Sequence, residues 1–85
     1  MGLNKEELKN KIIYRSSYRG SKEMDILISS FVKSVIDDFN DEELEMLDYL
    51  VNIDDENLHN LNKDMQTSVE IKENKVVNLF KKFRI

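Results

Sequence analysis

The sequence predicts an all-α fold, a single small bundle of about five helices. Three observations predict it. The 85 residues contain no proline, so nothing in the chain removes a backbone donor or clashes inside a helix. Met24, Leu27, Ile28, Phe31, Val32, Val35, Ile36 and Phe39 recur at alternating steps of three and one, a continuous apolar stripe at helical period. Capping residues such as Asn40 and Asp54 stand directly ahead of acidic segments that lead into further apolar runs, as helix N-termini require.

The first helix is expected from about Asn4 to Ser16. Asn4 caps it, Glu6 and Glu7 occupy the first turn where the helix dipole favours negative charge, and Leu8 and Ile12 share a face with Ile13 beside them. Ser16 and Ser17 weaken the pattern before Arg19-Gly20. The second helix carries the long stripe, with Ser21 as its cap and Glu23 and Asp25 in its first turns. An apolar face of that length needs neighbours to cover it, which makes this the central helix.

The third helix opens at Asn40-Asp41-Glu42-Glu43, where Asn40 with Glu43 three residues on forms a capping-box pattern. Leu44, Leu47, Leu50 and Val51 form its stripe, flanked by Met46 and Tyr49. A short fourth helix starts after Asp54, with Asp55 and Glu56 in its first turn and Leu58 and Leu61 facing inward. Asn62-Lys63-Asp64 reads as a polar link. The last helix is expected over about 65–83, taking Val69, Val76, Phe80 and Phe83 inward and ending on basic Lys81, Lys82 and Arg84, as its dipole prefers. A strand around Thr67-Ser68-Val69 and Ile71 is the weaker alternative.

Residues 1–85 form one domain in this reading, with room for one modest core and no separate catalytic unit. Charged residues make up 35% of the chain, and apolar runs are far shorter than the ~20 residues of a spanning helix. No apolar segment follows the basic N-terminus, so nothing reads as a secretory signal and a bacterial cytoplasmic location is expected. Without cysteine there is no disulfide, thiol nucleophile or thiolate metal site. The net charge of −4 is unevenly spread. Residues 1–24 hold six Lys/Arg against three Asp/Glu, residues 25–60 one against eleven, and residues 61–85 six against three. Either the basic ends fold back on the acidic middle, or the middle faces a partner. The acidic middle argues against a DNA-wrapping surface.

Sites for chemistry are sparse. His59 is the only histidine and cannot build an ordinary zinc site alone; it reads as a surface or half-buried side chain. The carboxylate pairs Asp37-Asp38, Glu42-Glu43 and Asp54-Asp55 invite a metal, but the latter two sit where helix starts want acids, and no calcium-type loop is present. Phosphate-cradling glycine motifs and a nucleophile elbow are missing. No metal, no catalytic residues and no enzyme activity are expected.

One segment remains: Tyr18-Arg19-Gly20-Ser21-Lys22-Glu23-Met24-Asp25. It contains one of only two glycines, placed between two helical patterns, where other residues are usually poorly tolerated. With a positive φ there, Gly20→Ala would cost ~1 kcal/mol or more. Arg19 and Glu23, four residues apart, either pair on the surface for a few tenths of a kcal/mol or form a corner for docking a partner protein. Arg15, Arg19 and Lys22, with Tyr14 and Tyr18, also form a basic, aromatic-studded segment that suits a phosphate.

Arg19-Gly20-x-x-Glu23, followed by Met24-Asp25 and a long apolar helix, resembles the small succinate dehydrogenase assembly factors of bacteria (SdhE) and mitochondria (assembly factor two). The resemblance continues through Asn40-Asp41-Glu42-Glu43-Leu44 and Leu50-Val51-Asn52-Ile53-Asp54-Asp55-Glu56-Asn57-Leu58, and covers about residues 10–62. It implies a five-helix bundle that binds the flavoprotein subunit of succinate dehydrogenase, and often of fumarate reductase. Family members promote covalent attachment of FAD to a histidine of that subunit. It also implies that Arg19, Gly20 and Glu23 lie at the contact, with Asp25, Tyr18 and Lys22 beside them. FAD would then belong to the partner, with none bound tightly by this chain, which would be a monomer when free. The chain departs from the family at Tyr18, where many members have a second arginine, and at Ser21, where methionine is common. His59 and Leu61 stand where a large aromatic is often found. The alternatives are a small helical nucleic-acid-binding regulator, using Arg15, Arg19 and Lys22, and a generic helical interaction module.

Overall fold

The computed structural model describes residues 4–17 and 20–84. They form five helices: α1 (Lys5–Ser17), α2 (Lys22–Val35), α3 (Asp41–Val51), α4 (Asp55–Asn62) and α5 (Lys75–Lys82). No strand occurs among the described residues. The fold is the all-α bundle that the sequence predicts, within extents of 34 × 25 × 21 Å.

The helix starts are set by local chemistry. Asn4 Oδ1 accepts the Glu7 N–H at 2.8 Å at the start of α1. Ser21 Oγ accepts the Met24 N–H at 3.2 Å. Asn40 and Glu43 exchange bonds of 2.8 and 2.9 Å in a complete capping box. Asp54 Oδ2 accepts the Asn57 N–H at 3.2 Å. Each cap satisfies a donor that the first helical turn leaves without a partner.

The core gathers one stripe from each helix. Ile12 of α1, Ile28, Phe31 and Val32 of α2, Leu44, Leu47 and Leu50 of α3, Leu58 of α4 and Val76, Val77 and Phe80 of α5 are all buried. Phe31 stands at the centre: its ring meets Phe80 and Phe83 edge-on, each at 5.3 Å between centroids, a favoured aromatic geometry. Helix α1 packs on α2 and α3, and α5 packs on α3 and α4.

Helices α1 and α3 run in the same direction. Lys11 meets Asp48 at 3.4 Å, and one turn further along both helices the Arg15 guanidinium donates to Asn52 Oδ1. Lys9–Asp37 at 3.5 Å and Lys75–Glu43 at 2.5 Å are further contacts between the basic ends and the acidic middle. The charge asymmetry therefore reflects, in part, termini folded back on the middle. Exposed pairs of this kind contribute roughly 0–1 kcal/mol each.

Three expectations are corrected. The stripe of α2 outlasts its helix: regular structure ends at Val35, residues 36–38 form a turn, and Ile36 and Phe39 are still buried. Asn62 is no polar link. It closes α4, is 2% exposed, and donates from Nδ2 to the carbonyls of Phe80 and Phe83 at 2.9 and 3.0 Å. The last helix does not begin at 65. Asp64 takes φ 58°, residues 65–74 run without regular structure, and α5 begins only after the Asn74 cap. Side chains bind this strap in place of helical bonds. Asn57 Oδ1 accepts the Ser68 N–H at 2.7 Å, and the Tyr49 hydroxyl accepts the Lys72 N–H at 3.1 Å. Val69, expected inside, is 51% exposed.

Candidate functional site

The corner between α1 and α2 carries the residues singled out by sequence. Tyr18 and Arg19 lie outside the described residues, so the Arg19–Glu23 pairing does too. Gly20, Lys22 and Glu23 are exposed, and Asp25 is half-buried. The Ser21 cap starts α2 one residue after Gly20, which fixes Lys22, Glu23 and Asp25 on its first turn. Asp25 is tied to the helix by its own backbone, its N–H donating to Ser21 O at 3.0 Å and its carbonyl accepting the Ser29 hydroxyl at 2.5 Å.

Gly20 is not held by backbone conformation: among the described residues no glycine has a positive φ. A tertiary hydrogen bond places it instead. The Gly20 N–H donates to Asp55 Oδ2 at 2.9 Å, and a Cβ built on Gly20 would meet that same oxygen at 3.4 Å. Asp55 sits in the first turn of α4, so the corner rests on the start of another helix. The reading of Asp55 as a first-turn acid is thus incomplete, since its carboxylate also reaches across the fold. A contact spanning 35 residues leaves no local sequence signal that could have found it.

Two of the site residues line separate grooves. Gly20 opens on a groove of about 630 Å³ between α1 and the α3–α4 junction, lined also by Lys11, Tyr14, Arg15, Asn52 and Asp55. Glu23 lies instead on a groove of about 230 Å³ with Leu27, His59, Asn62, Lys63 and Arg84. His59 is half-buried there. Gly20 and Glu23 therefore face different depressions. One mixes cations from α1 with carboxylates from α4. The other has the Glu23 carboxylate beside Lys63 and Arg84 from the C-terminal half. Arg15, a cation of the nucleic-acid reading, engages Asn52 and shares its groove with Asp54 and Asp55, which lowers its draw on a phosphate.

Away from the corner, the acidic pairs have structural partners. Glu43 caps α3 and meets Lys75, whose ammonium, with the Asn40 N–H, holds the Glu43 carboxyl below its usual range. Asp54 caps α4. Among the described residues, no group of three His, Cys, Asp or Glu side chains could hold a metal ion. No helix among them is long and apolar enough to cross a membrane.

The family model described as "Flavinator of succinate dehydrogenase" matches residues 10–84. The chain belongs to the Sdh5 family. No curated protein and no solved structure gives a significant match. The match runs well past residue 62, where the resemblance read from the sequence ends, so the Sdh5 region takes in the irregular strap and α5 as well as the corner. The family's role is assembly of succinate dehydrogenase through its flavinylation, a helper's role rather than that of the dehydrogenase.

Proposed function

We propose that this chain binds the flavoprotein subunit of succinate dehydrogenase and promotes covalent attachment of FAD to it without supplying bond-forming groups. The Sdh5 match over residues 10–84 carries this reading. The α1–α2 corner is its working surface: Gly20 and Glu23, with Arg19, Tyr18, Lys22 and Asp25, meet the partner. The exposure of Gly20, Lys22 and Glu23, with Gly20 and Glu23 each lining a groove, supports that assignment.

The chemistry asked of such a helper is modest. Holding two reacting groups in productive geometry can lower a barrier by roughly 7–11 kcal/mol in favourable cases, and a protein can contribute part of that by binding one conformer of its partner preferentially. The flavin stays with the flavoprotein, and this chain contributes surface alone. The active unit is one chain on one flavoprotein subunit.

Mixing the chain with the flavin-loaded, non-covalent flavoprotein subunit tests the reading by size-exclusion chromatography with mass detection. A one-to-one complex is expected. Separate elution of two folded proteins at every concentration tried would overturn it.

A further inference from the structure

We infer that Asp55 is a positioning residue for the α1–α2 corner: its carboxylate, fixed on the first turn of α4, accepts the Gly20 N–H and sets the geometry in which the corner meets its partner.

The Gly20–Asp55 bond of 2.9 Å joins an exposed backbone amide to a half-buried carboxylate 35 residues away. Hydrogen bonds to a charged acceptor are shorter and stronger than neutral ones. Asp55 is itself held, because Asp54 caps α4 through the Asn57 N–H and Leu58 anchors the helix in the core. Arg15–Asn52 and Lys11–Asp48 tie the preceding helix to α3 along the same side. The Gly20 bond therefore fastens the residue just ahead of the α2 cap to the same α3–α4 segment. A Cβ at position 20 would stand 3.4 Å from the accepting oxygen, an ordinary contact, so the bond and not the missing side chain sets the geometry. Longer side chains at position 20 would crowd the carboxylate or displace it. The placement of Gly20 thus depends on the first turn of α4.

The inference rests on the corner being the docking surface, and the test separates the two. In the full chain, Asp55→Ala, Asp55→Asn and Glu56→Ala are compared. Asn keeps an oxygen able to accept the Gly20 N–H. Glu56→Ala removes a first-turn acid from the same helix without touching Gly20, and so controls for the helix dipole. Two readouts are taken: hydrogen exchange of the Gly20 amide in the free protein, and covalent flavin on the flavoprotein as a function of helper concentration.

Asp55→Ala is expected to speed Gly20 exchange and to raise the half-saturating concentration about fivefold to tenfold, with the yield at saturation unchanged. Glu56→Ala should stay near the wild type in both, and Asp55→Asn, whose neutral oxygen accepts more weakly, should fall between it and Asp55→Ala. Unchanged Gly20 exchange in Asp55→Ala would overturn the inference, as would equal effects from Asp55→Ala and Glu56→Ala. If the wild-type chain fails to raise covalent flavin, the docking reading falls, and the exchange measurement still decides whether Asp55 positions Gly20.

Discussion

The Gly20 amide and the Asp55 carboxylate meet at 2.9 Å across 35 residues of sequence. The glycine of the corner is thus constrained by a neighbour and not by a left-handed backbone. That difference changes what a substitution there should do.

Gly20→Ala should be tolerated. Its φ is not positive, and the added methyl makes an ordinary contact with Asp55. At a compatible φ, replacing glycine stabilises by about 0.4–1 kcal/mol through the unfolded state. Urea denaturation should show no loss of stability beyond about 0.5 kcal/mol. Gly20→Arg should also fold, by circular dichroism, yet lower flavinylation of the partner, because its bulk stands on the exposed docking surface.

Glu43 makes stability depend on acid. Its carboxyl is held below the ordinary value by Lys75 first and by the Asn40 N–H second. The folded state therefore binds this proton less readily than the unfolded chain does. The resulting stability is fully present above the unfolded value near 4.5 and is lost as pH falls through the lower folded value. Glu43→Gln should flatten that part of the pH–stability curve, measured by thermal unfolding between neutral pH and pH 3. An unchanged slope would show that the Lys75 contact does not persist in solution.

Asn62→Ala should cost roughly 1–3 kcal/mol, because a buried side chain stops bridging to the Phe80 and Phe83 carbonyls. The loss should fall first on α5, seen as faster amide exchange over residues 75–82 before global unfolding. Uniform exchange across all five helices would instead point to a fully cooperative unit.

Phe80→Ala should be more severe, about 3–5 kcal/mol. Phe80 is fully buried and packs edge-on against Phe31, so its loss opens the joint between α2 and α5. A domain of this size has little stability to spare, and the variant should be largely unfolded at 37 °C by circular dichroism.

Short-range patterns explain which of these features the sequence makes legible. The caps at Asn40, Ser21 and Asp54 and the stripes of α2 and α3 involve residues three or four apart, so composition and spacing display them directly. What escapes is non-local. Asn62 reads as part of a polar link and Asn57 as an ordinary position of the fourth helix, yet both are buried because they bind backbone groups 11 to 21 residues away. Residues 65–74 contain apolar side chains that suggest a helix, but bonds from Asn57 and Tyr49 hold that backbone without regular structure. At the candidate site, the Arg-Gly-x-x-Glu spacing marks the corner, whereas the two grooves beside it depend on α3, α4 and the C-terminus arriving together.

The most direct test is covalent flavin on the succinate dehydrogenase flavoprotein subunit, read as in-gel fluorescence after denaturation. It is measured without helper, with the wild-type chain and with Glu23→Ala. Glu23 is exposed on the first turn of α2, so its loss should cost at most about 1 kcal/mol of stability and leave the helical spectrum intact. The account predicts a rise with the wild type that is largely lost with folded Glu23→Ala. Equal fluorescence with and without the folded wild-type chain would contradict it.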